Sequence, residues 1–194
     1  EHHAAINYRK NFQILDDDDS TQLIKSICKD LQIDSKMHST KEVKGLVQKY
    51  KMNRLDLSMF DAGIQVIVRN VFEHYTDRLR RNHLMDFDDL ILLTIELFEK
   101  NEIVRKIYED KFQYVLIDEF QDTNFLQYEI IKLFLKDRGP NSNICIVGDD
   151  AQSIYSFRGA TIENILHFEK DFPDLKTFKL EQNYRSTKYI IDAA

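Results

Sequence analysis

Two apolar runs of four residues, each ending abruptly in acids, restrict this chain more than any other feature. Tyr114-Val115-Leu116-Ile117 stops at Asp118-Glu119, and Ile144-Cys145-Ile146-Val147 stops at Gly148-Asp149-Asp150. Short unbroken apolar runs bounded by polar or glycine-containing turns fit strands buried on both faces of a parallel sheet. Between them, Leu126, Ile130, Ile131, Leu133 and Phe134 recur at helical spacing, so the stretch reads strand, crossover helix, strand. In such units ligands sit beyond the carboxyl ends of the strands. A third strand is predicted over residues 177–180, ending in Glu181-Gln182-Asn183-Tyr184-Arg185, with Ser186 or Thr187 capping a final helix. All three predicted strands end in charged or amide side chains. A purely structural sheet has no need of them, and a buried carboxylate is costly unless paired or metal-bound, so a functional edge is favoured.

Upstream, the pattern is helical. Residues 16–19 are four acids ahead of a stripe of Leu23, Ile24, Ile27, Cys28 and Leu31. They read as an acidic N-cap; a metal loop would need a spacing and a central glycine that are absent. A shorter helix over residues 41–50 follows a Ser39-Thr40 cap. A long one over residues 58–82 carries Phe60, Ile64, Ile67, Val68, Val71, Tyr75 and Leu79 on one face. Its end, Arg78-Leu79-Arg80-Arg81-Asn82-His83, is the densest basic cluster, readable as dipole partners or as a phosphate contact. Asp86, Asp88 and Asp89 then cap a helix through Phe98, and another helix spans residues 102–111. The predicted class is α/β with a large all-helical subdomain, residues 1–109. Residues 110–194 form a partial parallel sheet of the nucleotide-binding kind.

The formal net charge of −6 gives no global sign of nucleic-acid binding, so any such surface must be local. Cys28 and Cys145 lie within apolar segments, which predicts buried thiols in a reducing compartment. No run approaches the roughly 18 apolar residues of a membrane span, and no signal-peptide pattern opens the chain; the expected location is cytoplasmic. With no initiator Met, and a last helical pattern cut short, the sequence reads as a piece of a longer protein.

An apolar strand ending in Asp-Glu has the physical form of a Walker B element. The Asp holds the hydration shell of a Mg²⁺ ion beside a triphosphate, and the Glu polarises the attacking water. Asp118 and Glu119 are the candidates. Gln152 could sense the γ-phosphate, and Arg185 could neutralise developing charge. Tyr155 and Phe157, beside Arg158, could stack on unpaired bases; taken singly, each reads first as a core residue.

Three segments carry a resemblance. Asp118-Glu119-Phe120-Gln121-Asp122-Thr123-Asn124, then Val147-Gly148-Asp149-Asp150-Ala151-Gln152-Ser153-Ile154-Tyr155-Ser156-Phe157-Arg158-Gly159-Ala160, then Leu180-Glu181-Gln182-Asn183-Tyr184-Arg185-Ser186-Thr187 are similar to helicase motifs II, III and IV. In that order and spacing they resemble the UvrD/Rep/PcrA group of superfamily 1 DNA helicases, and the likeness extends upstream through Arg81-Asn82-His83 and Asp86-Phe87-Asp88-Asp89-Leu90-Ile91. The resemblance implies a helical insertion subdomain (1B) followed by the later part of the first RecA-like domain (1A). It implies ATP and Mg²⁺ as cofactors. Single-stranded DNA and single/double-strand junctions are the implied partners, with 3′ to 5′ translocation serving repair or replication. Residue by residue, Asp118 would hold Mg²⁺ and Glu119, in its second shell, would be the base. Gln152 would link the γ-phosphate to the DNA site, Tyr184 would stack near the adenine and Arg185 would reach the γ-phosphate. Tyr155, Phe157 and Arg158 would contact DNA. Phe157 departs from the Trp of many relatives, which keeps a stacking face but loses the indole N–H.

The larger departure is an absence. No Gly-x-x-x-x-Gly-Lys-Ser/Thr occurs in the chain, so nothing in it cradles β- and γ-phosphates. The chain alone is therefore expected to be inactive. A sheet lacking its Walker A strand is expected to self-associate through exposed edges or to displace its C-terminal segment. Two other readings stay open. A non-catalytic DNA- or partner-binding module would use Arg78, Arg80 and Arg81; a two-metal nuclease would use Asp118, Glu119, Asp149 and Glu181.

Overall fold

The computed structural model describes residues 1–53, 55–138, 142–149, 152, 163–180 and 182–191. The first three long helices, α1 (Asp17–Asp30), α2 (Thr40–Lys51) and α3 (Ala62–Asn82), pack around one another. Their apolar positions recur at three and four, which sets Ile24, Ile27, Val43, Val47, Val68, Val71, Tyr75 and Leu79 into one buried cluster. Fully burying each such side chain contributes roughly 1.5–3 kcal/mol against leaving it exposed. Each helix starts where a side chain satisfies a free backbone N–H: Asp16 accepts from Asp19, Ser39 from Glu42, and Asp61 from Ile64. The acids at residues 16–19 thus cap α1 as expected, and Asp17 also pairs with Lys44 at 2.6 Å. The long helix begins at Ala62, later than its apolar stripe predicts, because a 3₁₀ turn (Leu57–Met59) and the Asp61 cap intervene.

A two-residue parallel pair, β1 (Gln13–Ile14) with β2 (Leu84–Met85), was invisible in the sequence, since two residues give no alternation. Next come α4 (Phe87–Lys100) and α5 (Glu102–Lys111). Asp86 and Asp89 close a reciprocal capping box on α4, the role predicted for this acidic run. The same two carboxylates meet the buried Lys51 ammonium at 2.8 and 2.7 Å, and the Tyr75 hydroxyl donates to Asp86 at 2.9 Å. Burial pushes both carboxyls up. Lys51 and its hydrogen bonds outweigh this at Asp86, which lies below the usual carboxylate range. Asp89 stays above it, raised by burial and by Asp86 beside it.

The α/β part holds β3 (Val115–Ile117), α6 (Phe125–Leu135), β4 (Ile144–Ile146), α7 (Glu163–Asp171) and α8 (Lys188–Ile191). β3 and β4 are parallel, with Leu116 opposite Cys145, so the predicted strand, crossover helix, strand unit is present. Phe120, Tyr128 and Phe168 form its core, with Ile117, Ile144 and Ile146 packed against it. α4 and α5 lie against α6 and join this unit to the helical half.

Three expectations are corrected. Among the described residues the sheet is covered on one face: on the other, Leu116 of β3 and Tyr114 just before it are exposed, Leu116 by 76%. Cys145 lies on that open face and is exposed, while Cys28 is buried as expected. Residues 177–180 form no strand; they pair with none among the described residues, and Leu180 is 90% exposed. β3 and β4 leave free edges, but an extended run becomes a strand only where its backbone groups are paired, and among the described residues no ladder reaches 177–180.

Candidate active site

The parallel register carries the two strand ends to the same edge. Beyond the ladder, Val147 donates its N–H to the Ile117 carbonyl at 2.8 Å, and Phe120 donates to the Val147 carbonyl at 2.9 Å. The chain then turns sharply: Glu119 takes a left-handed backbone, φ 50°, uncommon for a residue with a side chain. Asp118 supports the turn by accepting the Glu119 N–H at 2.9 Å. A 3₁₀ turn (Phe120–Asp122) follows, and Asn124 opens α6 with a capping box to Gln127.

Asp118 and Glu119 are both solvent-exposed at this edge. Gln121, next but one, is 1% exposed. Its Nε2 donates to Glu119 Oε2 at 2.7 Å, and its Oε1 accepts the Asp149 backbone N–H at 3.0 Å. Asp149 in turn accepts from Gln152 Nε2 at 2.7 Å, and Gln152 N–H reaches the Asp149 carbonyl at 3.1 Å. Glu119 and Gln152, predicted from separate segments, are thus joined by two intermediaries, Gln121 and Asp149. Gln121 was not singled out in the sequence. Its signal was an amide two residues past the acid pair, but nothing in the sequence says that it points inward. Gly148 belongs with it: a Cβ there would lie 2.8 Å from Gln121 Oε1, closer than real contacts allow.

Tyr184 is 92% exposed, and Arg185 is exposed beside it. Asn183 Oδ1 accepts the N–H groups of Arg185 and Ser186, both at 2.9 Å, as an Asx turn. Among the described residues no contact brings either side chain to Asp118, Glu119 or Gln152. Tyr155, Phe157 and Arg158, with Asp150 and Glu181, lie outside the described residues. No group of three or more His, Cys, Asp or Glu among the described residues is arranged to hold a metal ion. The basic cluster is internally paired: Arg78 with Asp30 and Ser26, Arg80 with Glu96, and Arg81 with Asp77. No helix among the described residues is long and apolar enough to cross a membrane.

The parallel βαβ unit sets adjacent carboxylates at one strand end and an amide-linked loop at the next, and sequence comparison gives the family to which this arrangement belongs. The family model described as the UvrD/REP helicase N-terminal domain matches residues 1–173, and the chain belongs to that family. It is 44% identical, over 97% of its length, to the ATP-dependent DNA helicase PcrA of Staphylococcus aureus strains Mu50 and COL. The PcrA of Staphylococcus epidermidis matches to the same extent. The chain spans 26% of the length of each of these relatives.

Proposed function

We propose that the chain is part of the motor of an ATP-dependent DNA helicase that moves 3′ to 5′ on single-stranded DNA, in repair or replication. Residues 1–109 form its 1B-like helical subdomain, and residues 110–194 form the later part of its first RecA-like domain. The observation that carries the reading is the convergence of two motif segments on one sheet edge, where hydrogen bonds through Gln121 and Asp149 link Glu119 to Gln152.

The residues fit one half of the required ligand. Two adjacent exposed carboxylates suit a hydrated divalent cation, so Asp118 would hold Mg²⁺ through its water shell, with Glu119 behind it. Magnesium-bound ATP supplies the phosphoanhydride whose cleavage drives the motor. Glu119 takes the proton of the attacking water from its exposed position at the strand end. Gln152 reports the γ-phosphate to the loop that begins at Asp149. Arg185 neutralises charge on the phosphates, and Tyr184 stacks on the adenine. Tyr155, Phe157 and Arg158 grip the strand. The phosphate cradle is the unfilled half: no Gly-Lys pair occurs among the five glycines, so these residues alone do not turn over ATP.

The test is strand separation by the full-length protein on duplexes with a 3′ or a 5′ single-stranded tail. ATP-dependent unwinding of the 3′-tailed duplex is expected, with Asp118→Asn slower by about 10²-fold or more. Equal unwinding by Asp118→Asn, or preference for the 5′ tail, would contradict the assignment.

A further inference from the structure

We propose that Gln121 is a positioning residue for Glu119, and that it makes the setting of that carboxylate depend on the loop following β4. The inference rests on the reading of Glu119 as the base.

The direction of the Gln121 amide is fixed by its partners. The backbone N–H of Asp149 can only donate, so it faces Oε1, which leaves Nε2 toward Glu119 Oε2. The terminal amide is planar and rigid, so a displacement of Oε1 carries Nε2 with it. Gln121 is buried to 1% exposure although it adjoins an exposed site, and a buried amide is costly unless both ends are bonded, as they are here. Its seat is built: the space beside Oε1 exists because residue 148 has no Cβ, which would also crowd the backbone nitrogens of Gln121 and Phe120 at 3.3 and 3.4 Å. Beyond the seat, Asp149 holds Gln152 through both its backbone and its side chain. A shift of the Gly148-Asp149 backbone, from occupancy of either the nucleotide or the DNA side, therefore reaches the Glu119 carboxylate through one buried side chain.

A purely structural Gln121 would tie β3 to β4 and do nothing else. Three substitutions separate the possibilities. Gln121→Glu keeps an acceptor for Asp149 but turns an oxygen toward Glu119 in place of the N–H. Gln121→Met keeps the volume and removes both bonds. Gly148→Ala leaves the Gln121 chemistry intact and takes its seat. The experiment measures kcat and KM for ATP in the full-length protein, with and without single-stranded DNA, beside thermal unfolding. Gln121→Glu is expected to lower kcat by about 10- to 100-fold with KM within about twofold, the signature of a misplaced base. Gln121→Met and Gly148→Ala are expected to show the same fall in kcat and a ratio of DNA-stimulated to basal turnover collapsed toward one. They also carry the test if Gln121→Glu does not fold. Wild-type kcat and stimulation in folded Gln121→Met would overturn the proposal while leaving the motor reading standing, as would a lowered melting temperature with unchanged turnover. If the unsubstituted protein had no ATPase activity, the motor reading would fail first, and this one with it.

Discussion

Lys51 is the side chain on which α2, α3 and α4 converge. Its ammonium is buried between Asp86 and Asp89, and Tyr75 completes the cluster from α3. One cation faces two carboxylates, and their titration is split for that reason: Asp86 below the usual range, Asp89 above it. The pH dependence follows from the two directions. Asp86, depressed in the folded state, contributes stability that is present above its unfolded pKa and lost as pH falls through its folded value. Asp89, raised, contributes stability that is present below its unfolded pKa and lost as pH rises through its folded value. Lys51→Met leaves two buried carboxylates without their counter-ion. It is expected to cost about 3–5 kcal/mol at pH 7, measured by urea titration of this chain, and less near pH 4, where protonation relieves the uncompensated charge. A loss independent of pH would show that Lys51 acts through packing alone.

At the scale of elements, the β3–β4 pair is the feature that most needs company. Parallel sheets are normally covered on both faces, yet here Tyr114, Leu116, Cys145 and Val147 line an open one. The chain on its own is expected to self-associate in sedimentation velocity, and Leu116→Lys with Val147→Lys is expected to return it to monomer. A strictly monomeric unsubstituted chain at high micromolar concentration would contradict this. The same pair shows how far the sequence could be read. The four-residue apolar runs and the helical spacing between them pointed to the βαβ unit and to the edge at which its acidic strand ends lie. They did not show which face was covered, because apolar character reports a preference for burial and not the presence of a covering layer; Cys145 was misread for that reason. α7 was missed, although its Phe168 packs edge to face on Phe120. Among the candidate residues, Asp118 and Glu119 were legible as acids ending an apolar run, and Gln152 as an amide a short way past the next one. Gln121 and Gly148 were not, since their roles come from a contact between two strand ends 27 residues apart.

At the scale of the whole molecule, the chain is a helical unit joined to a two-stranded parallel sheet, and it spans 26% of the length of its PcrA relatives. On the proposed reading, Asp118, Glu119 and Gln152 lie on one side of a catalytic site whose phosphate cradle is not in this sequence. That division makes one measurement decisive: ATP turnover stimulated by single-stranded DNA, in the full-length protein, in its Glu119→Gln variant and in residues 1–194 alone. The full-length protein is expected to turn over ATP. Glu119→Gln is expected to bind ATP normally and to be slower by about 10²-fold or more, and the isolated chain is expected to show no turnover. Full activity in Glu119→Gln, or hydrolysis by the isolated chain, would contradict the account.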